Sequence, residues 1–291
     1  MKPPPFTYHA PRDLGEALST LAEVPGKVLA GGQSLIPLLN MRLAAPEHVV
    51  DINRVTTLDT VEAGGDGVRV GALARHSRVA RSGAHPLLTK ALRLVAHPVI
   101  RNRGTVVGSL VHADPAAELP AVLAVLGGSV RLAGRAPGGG TATRDVPARE
   151  FFVGPMESAV RPDELAVSAY FPALGGRAGT AFEEVSRRHG DYALAGVCAV
   201  VTLDDDLRIA AARVACVGVG PVPVLLDVTR ECGHRPAASA DWAAAAQTVR
   251  EATDPDGDIH ATAAYRRHLV GVLAERALRN AAREGTASGG T

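Results

Sequence analysis

Three stretches of the chain concentrate the residue types that handle polar ligands. The first is A-G-G-Q-S-L at residues 30–35, between an apolar strand-like segment at 27–30 and a short helical one at 33–40. Glycines at such a junction let backbone N–H groups approach an anion, and a helix N-terminus adds favourable dipole charge. The Ser34 hydroxyl offers one more donor. An ordinary strand-to-helix turn has the same composition, so the motif alone leaves both readings open. Asp51 follows at about the distance of the ribose-binding acid in a dinucleotide fold. The third glycine of that fingerprint is absent, however, and Pro37 shortens the helix.

The second stretch is R-G-T-V-V-G-S-L-V-H-A-D-P-A-A-E-L-P at 103–120. Residues 101–109 are too rich in glycine for a helix and too polar for a buried strand. They are expected to form a loop whose backbone groups and small hydroxyls wrap a polar ligand. Asp114, before Pro115, can receive ligand hydroxyls or cap a helix predicted over 116–126. His112 by itself reads as a packing histidine. The third stretch is E-V-S-R-R-H-G-D-Y-A at 184–193, where two arginines, a histidine and an aromatic gather. A solvated charged turn before a strand is the plain alternative.

Placing these stretches requires a mixed α and β framework. Helical spacing marks 14–21, with Asp13 as its cap, then 75–80, 86–96, 241–250 and 261–282. Strands are expected at 48–52, 68–71, 130–132, 165–170, 197–203 and 209–219, the last two joined by the Asp204-Asp205-Asp206 turn. The glycine-rich segment 175–179 is the best linker, and the small, polar segment from Gly285 onward is expected to be disordered.

Composition excludes several classes. Lysines and arginines number 31 against 30 acids, so the basic excess of a nucleic-acid binder is missing. Cys198, Cys216 and Cys232 stand far apart, which leaves no cysteine set for zinc or an iron–sulfur cluster in this chain. The same sparse, odd set argues against a disulfide scaffold and for a reducing, cytoplasmic location. The start M-K-P-P-P lacks the apolar run of a leader, and no segment is apolar for long enough to span a membrane.

In this order and spacing, A-G-G-Q-S-L at 30–35, R-N-R-G-T-V-V-G-S-L-V-H-A-D-P-A-A-E-L-P at 101–120 and S-R-R-H-G-D-Y-A at 186–193 resemble one family. It is the flavin-binding medium subunits of the molybdenum hydroxylases, which include carbon monoxide dehydrogenase medium chains and the flavin domain of xanthine dehydrogenase. A-Y-R-R at 264–267 is a weaker match, and the similarity runs over about residues 3–283. The resemblance implies an α+β fold. A PCMH-type FAD-binding domain of two α/β lobes, 1–57 and 58–175, would precede an α+β C-terminal domain of the carbon monoxide dehydrogenase flavoprotein type at 176–285. A disordered tail at 286–291 completes the division.

The resemblance also implies FAD as cofactor. Ala30, Gly31, Gly32, Gln33, Ser34 and Leu35 would line its diphosphate, and Thr105, Gly108, Ser109 and Asp114 the diphosphate and ribityl chain. Leu165 would give a backbone contact near the flavin or adenine, and Tyr192 would cover one face of the isoalloxazine ring. With only five Phe, four Tyr and one Trp in the chain, few other aromatics could serve as such a lid. Val107 stands where the family carries the first of two glycines. Either it takes ordinary β geometry with its side chain turned away, or flavin affinity is weakened; the intact Asp114-Pro115 and residues 30–34 favour the first.

The implied role is an electron relay. A molybdopterin-bearing large subunit would oxidise the substrate, an iron–sulfur small subunit would pass the electrons on, and FAD here would deliver them to an external acceptor. Neither a catalytic acid–base pair nor a metal ligand is expected in this chain. Arg187, Arg188 and the Tyr192 region are expected to face a partner. Two other functions stay open: a free-standing flavin-dependent oxidoreductase acting on a small organic substrate, and a non-enzymatic scaffold with a degenerate flavin site.

Overall fold

Asp13 opens the first helix much as the sequence predicts. Its carboxylate accepts the Glu16 N–H at 2.8 Å while Glu16 accepts the Arg12 N–H at 2.7 Å, and Ala17, Leu18 and Leu21 are buried. The computed structural model describes residues 1–287. Strands β1 (Thr7–His9), β2 (Gly26–Leu29) and β3 (His48–Asp51) form a three-stranded parallel sheet with β3 in the centre. Parallel neighbours need crossovers, and α1 (Leu14–Glu23) and α2 (Leu35–Asn40) supply them. The A-G-G-Q-S-L stretch is the turn from β2 into α2.

The second sheet is antiparallel, in the order β4 (Val61–Gly64), β5 (Gly67–Gly71), β10 (Glu164–Pro172), β6 (Ser129–Arg135) and β7 (Thr141–Pro147). Between its strands run α3 (His76–Ser82), α4 (Pro86–Leu94), α5 (Pro98–Arg101), α6 (Val106–His112), α7 (Glu118–Leu126) and α8 (Ala148–Phe151). A small hairpin of β8 (Phe152–Gly154) and β9 (Glu157–Ser158) lies against α6. Helix α7 has every residue buried, which explains the apolar run that follows Glu118.

Two expectations fail in this region. Residues 106–112 form a helix rather than a loop. Thr105 caps it, its hydroxyl accepting the Gly108 N–H, and Val106, Val107 and Leu110 bury one face. Tertiary burial of that apolar face overrides the weak propensity of a glycine-containing sequence. Asp114 does not cap α7 either. It accepts the Ala116 N–H at 2.8 Å in a tight turn, and the helix begins only at Glu118 with Ala117 before it.

The remaining strands, β11 (Arg177–Ser186), β12 (Ala193–Leu203), β13 (Ile209–Val217) and β14 (Val224–Asp227), form an antiparallel sheet in sequence order. Helices α9 (Thr229–Cys232), α10 (Trp242–Glu251) and α11 (Ala263–Ala287) follow. Side chains alternate across this sheet, as strand geometry requires. Val197, Ala199 and Val201 pack in one core with α10 and α11, whereas Cys198 and Val200 pack in the other core, which holds α4 and α7. All three cysteines are buried and unpaired.

The proposed linker is shorter than expected, because β11 already includes Arg177 to Gly179. Gly285 to Ala287, read as part of a disordered tail, continue α11. The helix persists because Gly285 is buried and would-be Cβ contacts place it against the Arg177 carbonyl of β11. Residues 288–291 lie outside the described residues. No described helix is long and apolar enough to cross a membrane.

Candidate functional site

The turn from β2 into α2 closes against the segment just before α6. A Cβ on Gly31 would lie 2.5 Å from the Arg103 carbonyl oxygen and 2.8 Å from the Gly104 Cα, so only glycine permits this approach of two backbones. Beside it opens a cleft of about 350 Å³ lined by Ala30, Gly31, Gly32, Gln33, Asn53 and Arg103, among others. Ser34 heads α2 without a side-chain capping bond. Ser34 and Leu35 adjoin the cleft through the helix start rather than lining it.

The cleft is held by polar ties that motif reading missed. Asn53 donates to the Ala30 carbonyl at 2.8 Å and to Asp51 at 2.6 Å. Arg75 donates to Asn53 Oδ1 at 2.6 Å and to the Arg103 carbonyl at 2.5 Å. Burial and the nearby Arg103 lower the Arg75 pKa. Asp51, rejected as a dinucleotide signature, is an organiser of this network and also accepts the Tyr8 hydroxyl at 2.7 Å. In the sequence Arg103 opens the second stretch and Asn53 is marked only by its neighbour Asp51; nothing marks Arg75. Beneath Gly104, His76 is buried with both ring nitrogens lacking a well-formed hydrogen bond, and burial pushes its pKa down to about 4. It is therefore neutral at ordinary pH and adds no charge under the cleft.

Helix α6 carries the second stretch away from the cleft. Its seven residues, Val106–His112, span about 10 Å at the usual helical rise. Thr105 is buried at its head, and Gly108 and Ser109 are half-buried along it. Val107 takes helical rather than β geometry, and its side chain belongs to the apolar core. The expected turning away of that side chain holds, by a different backbone conformation.

At the far end, the second and third stretches meet. Tyr192 is 62% exposed, and its phenol lies near Asp114 and Glu118. Desolvation of that end, with Asp114 and Glu118 beside it, pushes the phenol up to about 12. Glu118, at the start of α7, is buried and raised to about 8 by desolvation and by Glu184 facing it. Glu184 is raised to about 7 by desolvation, and its Oε2 is buried without a partner. Strand alternation sets this pair: Glu183 turns to the α11 side and bonds Asn280 at 2.8 Å, so Glu184 points to the opposite face, toward α7. Sequence reading missed both glutamates as interacting groups, because their meeting depends on two elements far apart in the chain.

Other predicted residues stand apart. Leu165 is buried in β10, paired with Ala133 of β6, and does not line the cleft. His112 is half-buried, and burial lowers its pKa. Arg187 and Arg188 are exposed, with Arg187 3.8 Å from Asp191. His189 sets its ring edge-on to His97, which anchors the turn to the start of α5. Among the described residues, no cluster of three or more His, Cys, Asp or Glu side chains could hold a metal ion.

The arrangement fits a long polar ligand with an anionic part. Close-packed glycine backbone and Arg103 suit phosphate at one end, and an exposed aromatic face lies at the other. Comparison with known proteins agrees. The family described as the FAD binding domain in molybdopterin dehydrogenase matches residues 4–174, and the CO dehydrogenase flavoprotein C-terminal domain matches residues 180–281. The chain is 39% identical to the 6-hydroxypseudooxynicotine dehydrogenase complex subunit alpha of Paenarthrobacter nicotinovorans, over 97% of this chain and 96% of that protein. It is 35% identical to the carbon monoxide dehydrogenase medium chain of Hydrogenophaga pseudoflava, over 96% of this chain and 97% of that one. A solved carbon monoxide dehydrogenase structure from the same organism superposes with a TM-score of 0.90 at 32% identity, covering 98% of this chain and 99% of that chain.

Proposed function

The chain belongs to the FAD-binding medium subunits of the molybdenum hydroxylases, and from that premise we propose that it is the electron-transfer subunit of such a complex. Its cofactor is FAD and its class is a flavin-dependent oxidoreductase subunit. The observation that carries the proposal is the joining of all three chemical stretches by α6: the glycine cleft against Arg103 at its head, and Asp114 with Tyr192 at its tail. When bound, FAD exchanges electrons singly or in pairs, which links one-electron carriers to varied acceptors.

The residues of the chain bind, orient and shield. Gly31, Gly32, Gln33 and Arg103 would hold the diphosphate, with Ala30, Ser34 and Leu35 shaping the turn. Thr105, Gly108, Ser109 and Asp114 would lie along the chain that leads to the ring, and Tyr192 would cover it. Leu165, buried in β10 behind α6, would give a backbone contact near the flavin or adenine. We place the iron–sulfur and molybdopterin subunits of a cytoplasmic complex against the Arg187–Tyr192 face, and divide the chain into lobes at 1–57 and 58–175 with a C-terminal domain from 176.

Affinity purification of the chain from its native host tests the proposal. Co-purification of an iron–sulfur chain and a molybdopterin chain is expected. A yellow monomer or homodimer that turns over a substrate alone would instead establish the free-standing oxidoreductase. FAD titration of the purified protein addresses the scaffold alternative, whose support was Val107, now found in the core and away from the cleft. Charge reversal of Arg187 and Arg188 to Glu should weaken assembly or slow flavin reduction. Unchanged assembly and rate would move the partner face elsewhere.

A further inference from the structure

Arg266, in the weakly matching A-Y-R-R stretch, touches neither end of the proposed flavin site, yet its guanidinium grips both segments that form the Tyr192 end. It stands in the first turn of α11 and is only 8% exposed. Nη1 donates to the Leu194 carbonyl at 2.5 Å and to the Gly218 carbonyl at 3.2 Å, and Nη2 donates to Asp258 Oδ2 at 2.7 Å. Leu194 lies two residues beyond Tyr192. Gly218 donates its own N–H to the Pro115 carbonyl at 2.8 Å, and Pro115 directly follows Asp114. One cation therefore connects the backbone just past Tyr192 to a residue that holds the backbone just past Asp114.

A buried charge persists only where it is paired and hydrogen-bonded. Asp258 supplies the pair. The N–H groups of Ala261 and His260, with the Arg266 guanidinium, hold its carboxyl down to about 2. Three acceptors in different directions suit a planar fork and not a single ammonium. The left-handed backbone of Gly218, φ +73°, brings this residue within close reach of the Leu194 carbonyl, where a Cβ would stand only 2.9 Å away. The junction is thus built tightly around the arginine.

We infer that Arg266 is a positioning residue for the flavin site: by tying the Leu194 and Gly218 carbonyls together it holds the Tyr192 segment beside the Asp114 segment. Its functional meaning rests on the flavoprotein assignment above. The test compares the full-length wild type with Arg266→Gln and with Arg267→Gln, a neighbour whose guanidinium bonds, among the described residues, Thr253 and Asp254. Hydrogen–deuterium exchange is read with and without FAD over residues 113–118 and 187–195, alongside the FAD dissociation constant.

Arg266→Gln should speed exchange in both windows by about tenfold or more, without FAD as well as with it, and weaken FAD binding about tenfold, as expected for lost charged hydrogen bonds. Arg267→Gln should leave both windows and the affinity unchanged. Unchanged exchange in the two windows, or a uniform increase over the whole chain, would overturn the tie. Faster exchange with unchanged FAD affinity would overturn the positioning role. If Arg266→Gln does not fold, Arg266→Lys keeps the charge but cannot reach all three acceptors, and gives the same readout. Failure of the wild type to bind FAD would defeat the flavoprotein assignment, while the exchange comparison would still decide the tie.

Discussion

The two ends of α6 solve opposite electrostatic problems. At its head, glycine backbone, Arg75 and Arg103 gather positive partial and full charge, and the buried histidine beneath them is kept neutral. At its tail, Asp114, Glu118 and Glu184 crowd together with a phenol whose proton is held tightly. The head is suited to anions. The tail disfavours further negative charge and holds protons instead, because neighbouring carboxyls in a poorly solvated site do not all ionise. The Asp51 carboxylate also lines the head but is tied to Asn53 and Tyr8, so an extended ligand laid along α6 would find its phosphates favoured at the head and its neutral aromatic part at the Tyr192 end.

The sharpest way to break this contrast is at the head. Gly31→Val places a branched side chain against the Arg103 and Gly104 backbone, which cannot move aside as a side-chain tip could. The expected penalty is about 1–3 kcal/mol of overpacking, with FAD affinity falling by at least the matching factor. Fluorescence titration with FAD and a thermal melt measure the two effects. Wild-type affinity in this variant would remove the cleft from the binding site.

The tail is tested by pH. Glu118 and Glu184 have folded-state pKa values of about 8 and about 7, raised above the unfolded carboxyl by burial and, for Glu118, by Glu184. The folded protein thus holds protons that the unfolded chain releases near pH 4.3, roughly. The stability this contributes is complete below that range and is lost as pH rises through about 7 to 8. Glu118→Gln removes the titration and should flatten the fall of the melting temperature between about pH 4 and pH 8, by a few degrees. An identical pH profile for variant and wild type would show that the two carboxyls do not share this burden.

The smallest effect is expected at Tyr192. Tyr192→Phe removes the hydroxyl facing Asp114 but keeps the ring, so stability should change by less than about 1 kcal/mol. Tyr192→Ala removes the ring as well, and should alter the visible spectrum of bound flavin where Tyr192→Phe does not. Equal spectra for the two variants would take Tyr192 out of the ring environment.

Much of this was legible in the sequence because it is local. The Asp13 cap, the β2-to-α2 glycine turn and the alternation of β12 and β13 follow from residue types at short spacing. The segment 101–109 departs from its local pattern for the same reason: glycine and polar content speak against a helix locally, and only the buried face of Val106, Val107 and Leu110 reverses that. Gly285 to Ala287 behave likewise, since small residues signal disorder until β11 lies against Gly285.

Residue types and order by themselves determined the α+β class, the family resemblance, the likeness to a flavin site and the absence of a cysteine set for metal. Tertiary structure alone decided that Arg75 and Asn53 brace the cleft, that Glu118 meets Glu184, and that Arg266 joins Leu194 to Gly218. Each of these meetings joins residues more than 20 positions apart, and a single charged or polar residue carries no periodic signal of its distant partner. Its energy depends on burial and on the exact direction of the group it faces, and those are fixed only when sheets and helices pack.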